Sequence, residues 1–225
     1  MNGKVIFYVT RHGQTLFNLL DKVQGWSDTP LTQQGIQTAN LLGNAMKKIK
    51  FESVYTSDSG RACETATLIL NQNEHIQPQV NHDKRLREWG FGSLEGESNN
   101  WFMDTILNGL PPDIGFEHLT EYLPQISEII VKTDTIGFAE PFGTIENRIS
   151  SIFKDIAEKV SATGGGQVLI VTHAFIIKTI VYLYARHRIS EVAKVENASI
   201  TKIIYQDGNF CVEDINSTSY TGSTT

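Results

Sequence analysis

Two cysteines, Cys63 and Cys211, are all that the 225 residues contain. Neither has metal-ligand spacing, and two isolated thiols suit a reducing compartment. Long apolar runs are also missing. No stretch approaches membrane-spanning length, and the run after Met1-Asn2-Gly3-Lys4 ends at Val9, too short for the core of a signal peptide. A cytoplasmic location is the resulting expectation. Basic residues are in deficit, with 19 Lys and Arg against 25 Asp and Glu and a net charge of -6. That balance argues against a nucleic acid or an anionic membrane as partner, since either would require a basic face. What remains is an ordinary globular composition, 40% apolar and 20% charged, long enough to bury a sizeable core.

The chain alternates strand and helix patterns. Val5 to Val9 reads as a strand buried on both faces. Thr32 is a plausible N-cap for a helix over Gln33 to Ile49. A short strand over Ser53 to Thr56 precedes a helix over Gly60 to Leu70. A strand over Gln167 to Thr172 precedes an apolar helix over Phe175 to Tyr184. Ala198 to Tyr205 and Phe210 to Ile215 flank Gln206-Asp207-Gly208-Asn209, which signals a hairpin. The expected class is therefore α/β: a mostly parallel, doubly wound sheet with helices on both faces, a C-terminal β-hairpin and a helical insertion over the active site. Prolines at 111, 112, 124 and 141 mark 97–143 as an insertion over the sheet edge, with helical pieces around Trp101 to Leu107 and Leu119 to Lys132. A further helix, Ile145 to Val160, leads back to the sheet. One domain over 1–216 is expected, followed by a disordered Ser/Thr/Gly-rich tail over 217–225.

The residues that carry chemistry cluster at predicted strand ends. Arg11 and His12 follow the first strand, with Gly13 expected to turn the chain sharply. His173 follows the strand that ends at Thr172, and a helix begins at once. Ser57 follows a third strand, and Arg61 opens the next helix, where its charge would add to the exposed N–H groups. In α/β sheets such carboxyl ends bind ligands. Two arginines and two histidines converging there suit a dianionic phosphoryl group, because a guanidinium fork fits phosphate oxygens. A neutral imidazole at His12 can attack phosphorus in line when its other N–H is held. Glu88 is the candidate acid, with Trp89 and Phe91 as an apolar wall that would keep it protonated. Glu95 and Glu97 lie close enough in sequence to compete for that role. His75, His82, His118 and His187 have no supporting pattern, and Gly35 suggests close helix packing.

These segments resemble the histidine phosphatase superfamily, the phosphoglycerate-mutase-like proteins. The matching runs are Arg11-His12-Gly13-Gln14-Thr15 with Asn18; Gln24-Gly25 with Asp28-Thr29-Pro30-Leu31-Thr32; Thr56-Ser57-Asp58 with Arg61-Ala62; Leu86-Arg87-Glu88 with Gly92 and Glu95-Gly96; and Val171-Thr172-His173-Ala174, with Asn197-Ala198-Ser199 later. The resemblance implies a phosphohistidine at His12 and phosphoryl contacts from Arg11, Arg61 and His173. It implies a donor at Asn18, a substrate border at Gln24, Gly25 and Ala174, and Glu88 as acid and then base. No metal or organic cofactor is implied.

The acceptor of the phosphoryl group is the open question. In mutases of this family the insertion carries added Arg and Lys for a polyanionic substrate. Here 97–143 contains Glu97, Asp104, Asp113, Glu117, Glu121, Glu128, Asp134 and Glu140 against Lys132 alone, with Trp101, Phe102, Met103, Phe116, Phe138 and Phe142 among its apolar residues. Lys84, Arg85 and Arg87 would weaken the contrast if they faced the pocket. The expectation is a phosphoric monoester hydrolase acting on a small-molecule phosphate ester. Phosphoglycerate mutase is the alternative, and a non-catalytic phosphate-binding module is disfavoured because every motif position is filled. The C-terminal hairpin offers an edge on which a homodimer could form.

Overall fold

A computed structural model describes residues 3–221. In chain order the elements are β1 (Val5–Arg11), α1 (Leu16–Leu19), α2 (Gln33–Met46), β2 (Phe51–Thr56), α3 (Gly60–Leu70), β3 (Val80–His82), α4 (Asn99–Gly109), α5 (Leu123–Thr133), α6 (Phe142–Ala162), β4 (Gly166–Thr172), α7 (Ala174–Tyr184), β5 (Ile200–Gln206) and β6 (Asn209–Ser217). The sheet order is β3-β2-β4-β1-β5-β6. β3, β2, β4 and β1 run parallel, β5 runs antiparallel to β1, and β6 returns antiparallel to β5. The expected α/β class with a C-terminal hairpin is what the chain forms.

Strand alternation divides the core between the two faces. Val5, Phe7 and Val9 of β1 and Val168 and Ile170 of β4 join one apolar cluster with α6 and α7. Leu169 and Val171 face the other side, against Leu42 and Met46 of α2 and Ala62, Ala66 and Ile69 of α3. α6 holds its place with the stripe Ile145, Ile149, Ile152, Phe153 and Ile156, each buried. Removing a single such side chain from water is worth about 1.5–3 kcal/mol, so the stripe fixes the helix firmly.

The insertion borders the His12 cavity through Asn99 and Phe102, as expected, but it does not lie over the sheet edge. Phe102 and Ile106 of α4, Leu119 of the 3-10 turn Phe116–Tyr122, and Leu123, Ile126 and Ile130 of α5 belong to the same cluster as β1 and α7. The insertion thus packs on α6 and α7, over one face of the sheet and not across its edge. Its apolar residues are too numerous for an edge strand to cover, whereas two apolar helices can. The tail also departs from expectation. Ser217 closes β6, Ser219–Thr221 form a 3-10 turn, and the Tyr220 hydroxyl donates to Ala198 O at 2.7 Å. Residues 222–225 lie outside the described region. Among the described residues, no helix is long and apolar enough to cross a membrane.

Candidate active site

Sheet register brings the two histidines together. β1 and β4 are parallel neighbours with Arg11 opposite Thr172, and the pairing continues as His12 N–H donates to Thr172 O at 3.0 Å. His12 and His173 therefore leave adjacent strands at the same level, with ring centroids 5.2 Å apart. Both side chains are buried.

His12 Nδ1 lies 2.8 Å from Gly13 O. A carbonyl only accepts, so Nδ1 carries the hydrogen and Nε2 keeps its lone pair. His173 has the opposite tautomer. Arg61 Nη2 donates to its Nδ1 at 3.0 Å, so the hydrogen sits on Nε2, which is 2.8 Å from Ser57 Oγ. Burial holds both imidazoles well below the usual histidine range; the Arg61 charge adds to this at both, Arg11 then at His12, and His12 next at His173. Both are neutral near pH 7, as a nucleophile and a fixed donor require. The folded pKa values are depressed, so as pH falls through about 6.5 the unfolded chain binds protons first and stability is lost. Glu88, shifted the opposite way, favours folding below the usual glutamate pKa and loses that contribution as pH rises through its raised value. Each neutral histidine adds up to about 1.4 kcal/mol per pH unit to the slope. Thermal melts between pH 7.5 and 5 should decline on acidification, and His173→Gln should flatten the decline by one proton. An unchanged slope would contradict the neutral buried state.

Arg61 is fully enclosed. Nη1 donates to Ser27 O at 2.8 Å and Asp28 Oδ1 at 2.9 Å, and Nη2 donates to Gly25 O at 2.7 Å as well as to His173. Arg11 Nη1 donates to Val195 O at 2.6 Å, and burial lowers this guanidinium to about 10. The Nε–H groups of both arginines are buried without a partner among the described residues. A buried orphan donor is costly, and two of them beside two histidines ask for an anion. Asp28 changes one expectation. Its carboxylate accepts the Gly60 N–H at 2.7 Å and the Arg61 N–H at 3.4 Å. The N-terminus of α3 is therefore already capped, and Arg61 acts through its side chain alone.

Glu88 is buried, and desolvation raises its pKa, against the lowering effect of N–H donors from Phe175 and Trp89, each at 3.0 Å. Phe91 and Phe175 line the cavity with Glu88, and the Phe175 ring packs on Phe91 at 5.6 Å and on Trp89 at 4.9 Å. Glu95 is occupied elsewhere. It accepts from Gly25 N at 3.0 Å, Trp26 N at 2.8 Å and Ser27 N at 3.1 Å, and so folds the loop whose carbonyls hold Arg61. Any side chain at Gly25 would collide with the Glu95 carboxylate and Trp89 O. Gly13 has no left-handed backbone; its role is close approach, since a Cβ there would sit 2.7 Å from Gly35 O. Gly35 likewise presses on Gln14, so the pair seats α2 against the His12 loop.

The remaining expected residues lie around the same cavity. Arg11, His12, Asn18, Gln24, Glu88, Ala174 and Phe175 line it, and Gly25 and His173 line the adjoining opening beside Glu88. Gln24 accepts from Thr15 Oγ1 at 2.6 Å and donates to Thr29 Oγ1 at 2.9 Å, so it braces the loop. Several contributors went unassigned from sequence. Lys22 also lines the cavity. Asn197 Nδ2 donates to His12 O at 2.9 Å. Arg148 of α6 donates to the carbonyls of Arg85, Arg87 and Glu88 at 2.7–3.0 Å and pairs with Glu140. Ser57 and Asn197 stand inside the quoted motifs and could have been found there. Arg148 carries no signal beyond being a cation on an amphipathic helix. Among the described residues, no group of three or more His, Cys, Asp and Glu is placed to hold a metal ion.

A strand-end cluster of two guanidiniums, two neutral imidazoles and one protonatable carboxyl defines an α/β protein that handles phosphoryl groups. The chain belongs to the histidine phosphatase superfamily (branch 1), whose pattern matches residues 7–218. It is 37% identical to a solved phosphoglycerate mutase from Bacillus anthracis str. Sterne, with a TM-score of 0.88 over 97% of this chain and 96% of that one. It is 25% identical to a phosphoserine phosphatase from Entamoeba histolytica solved with 3-phosphoglyceric acid, with a TM-score of 0.72 over 96% and 98% of the two chains. A 2,3-bisphosphoglycerate-dependent phosphoglycerate mutase from Bifidobacterium longum is 27% identical over 214 residues, 89% of this chain and 85% of that protein.

Proposed function

We propose that the chain is a phosphomonoester hydrolase that acts on a small phosphorylated metabolite through a phosphohistidine at His12. Nε2 of His12 attacks phosphorus as the ester P–O bond breaks, and protonated Glu88 gives its proton to the leaving oxygen. Water then attacks the N–P bond, Glu88 takes the water's proton, and inorganic phosphate leaves. Arg11 and Arg61 offer their unpartnered Nε–H groups to the phosphoryl oxygens, and His173 adds its Nε2–H, now given to Ser57. Asn18 and Lys22 border the same space. An arriving dianion would raise the pKa of His12 and Glu88 alike. The two guanidiniums offset that effect at His12, while apolar burial keeps Glu88 protonated.

The observation that carries hydrolysis over transfer to a second hydroxyl is the wall beside the phosphoryl site. Phe102 and Phe175 border the His12 cavity and continue into a second cavity lined by Met103, Ile106, Leu123 and Ile126. Beyond the phosphoryl cluster a bisphosphate would meet one lysine in each cavity, Lys22 and Lys178, among mostly apolar side chains. The acidic residues of the insertion contribute little directly: Glu140 is paired with Arg148, and Asp134 accepts the N–H groups of Ser93, Ile136, Phe138 and Ala139. Arg85 is tied to Asp83 and Asp155, whereas Arg87 lines the opening beside Glu88 and His173, where it is paired with Asp58. Lys84 is exposed.

The rival reading, phosphoglycerate mutase, has the names of two of these relatives in its favour. Purified protein should hydrolyse a generic aryl phosphate without added metal. It should interconvert 2- and 3-phosphoglycerate in the presence of the bisphosphate at less than a hundredth of that rate. Faster interconversion than hydrolysis would make the chain a mutase.

A further inference from the structure

The apolar cavity behind the catalytic cluster contains one charged group. It has a volume of about 150 Å³ and lies between α4, α5 and α7. It shares Asn99, Phe102 and Phe175 with the cavity at His12, so the two adjoin. Among its lining residues only Lys178, on α7, carries a charge. Lys178 Nζ donates to Ala193 O at 2.8 Å and lies 5.1 Å from the centre of the Phe175 ring. An ammonium has three donors, and among the described residues no carboxylate lies within ion-pair distance of this one. Burial is the main reason its pKa falls to about 8, with Arg11 lowering it further and Glu88 opposing. It is therefore still mostly protonated at pH 7. A half-buried cation in largely apolar surroundings without a counter-charge is costly, and Lys178 is the one charged residue of α7. Tying a single carbonyl of the turn after α7 would need only a neutral donor.

We propose that Lys178 is a specificity-determining residue that binds a carboxylate at the far end of the leaving group. The substrate class is then a phosphate ester of an amphipathic alcohol: phosphate at one end, an apolar body, and a carboxylate at the other. The phosphate sits at Arg11, His12 and Arg61, the body lies along Phe102, Phe175 and Ile106, and the carboxylate meets Lys178. This assignment rests on the hydrolase reading for its consequence in turnover, but the binding step stands apart from it.

The test compares ω-phosphooxyalkanoic acids of graded chain length with their methyl esters, and the matching carboxyalkyl phosphonates with theirs. The wild type should hydrolyse the best acid with a kcat/KM about 10- to 100-fold above that of its ester, the usual worth of a hydrogen bond to a charged group. The phosphonate acid should bind tighter than its ester by a similar factor. Lys178→Met should remove both preferences while leaving ester hydrolysis within about threefold, and Lys178→Arg should restore part of them. Equal binding of acid and ester phosphonates by the wild type would overturn the assignment. So would a parallel fall of acid and ester in Lys178→Met, since a structural tie to Ala193 serves every substrate alike. If acid phosphonates bind through Lys178 but no ester of either kind is hydrolysed, the carboxylate site stands and the hydrolase reading fails.

Discussion

Replacing His12 by alanine is expected to abolish hydrolysis of every phosphate ester, a loss on the order of 10⁴- to 10⁶-fold in kcat. That corresponds to about 5–8 kcal/mol of barrier. The magnitude follows from what disappears. Without Nε2, water must attack phosphorus in the first step, and nothing in the cluster is placed to activate it while Glu88 still holds its proton. The rest of the machinery survives the change: Arg61 stays anchored to Gly25, Ser27, Asp28 and His173, and Arg11 to Val195. Phosphate affinity should therefore hold within about tenfold. Steady-state hydrolysis and phosphate titration of the same preparation separate the two effects. Residual hydrolysis within about a hundredfold of the wild type would remove His12 from the nucleophile's role.

Glu88→Gln is expected to divide substrates by leaving group. An alkoxide must be protonated as it departs, whereas a phenolate, with a conjugate-acid pKa of about 10, needs much less help. General-acid assistance is typically worth about 10²- to 10⁴-fold, so the phosphorylation step, read as kcat/KM, should slow by that factor for alkyl phosphates and by less than about tenfold for activated aryl phosphates. With aryl phosphates the later step, attack of water on the phosphohistidine, then limits turnover, and a burst of phenol should precede the slow steady state. Glutamine keeps an oxygen for one of the two N–H groups that Trp89 and Phe175 now donate, so gross unfolding is not expected. Equal slowing of alkyl and aryl kcat/KM would exclude Glu88 as the acid, and Glu95 could not replace it, since its carboxylate is committed to the Gly25–Ser27 loop.

The candidate cluster was readable because its members stand where strands end, and the ends of parallel strands are where α/β proteins place ligands. Arg11, His12, Arg61 and His173 each follow a strand that the apolar pattern marks. What holds them was less legible, because positioning is done by groups whose partners are distant in sequence. Glu95 looked like a rival acid, and only the fold shows its carboxylate receiving three N–H groups from a loop that is about seventy residues earlier. Arg148 and Asp28 act in the same way, on Glu88 and on Arg61. β3 has three residues and α1 four, too short for any periodicity to reveal. Lys178 lay inside Phe175 to Tyr184, read from its hydropathy as core helix. Ile176, Ile177 and Ile180 are indeed fully buried, and the same hydropathy masks the one position whose charge faces a cavity. The insertion's helices were visible, but their placement on α6 and α7 depends on which stripes match, and no single segment encodes that.

The central claim, a phosphohistidine at His12 that water resolves, is tested most directly by rapid quench of the enzyme with a ³²P-labelled ester in H₂¹⁸O. Label should appear on His12 within one turnover, in a form that alkali preserves and acid releases. The inorganic phosphate formed should carry one oxygen from solvent. Release of solvent-labelled phosphate with no label ever on His12 would contradict the account.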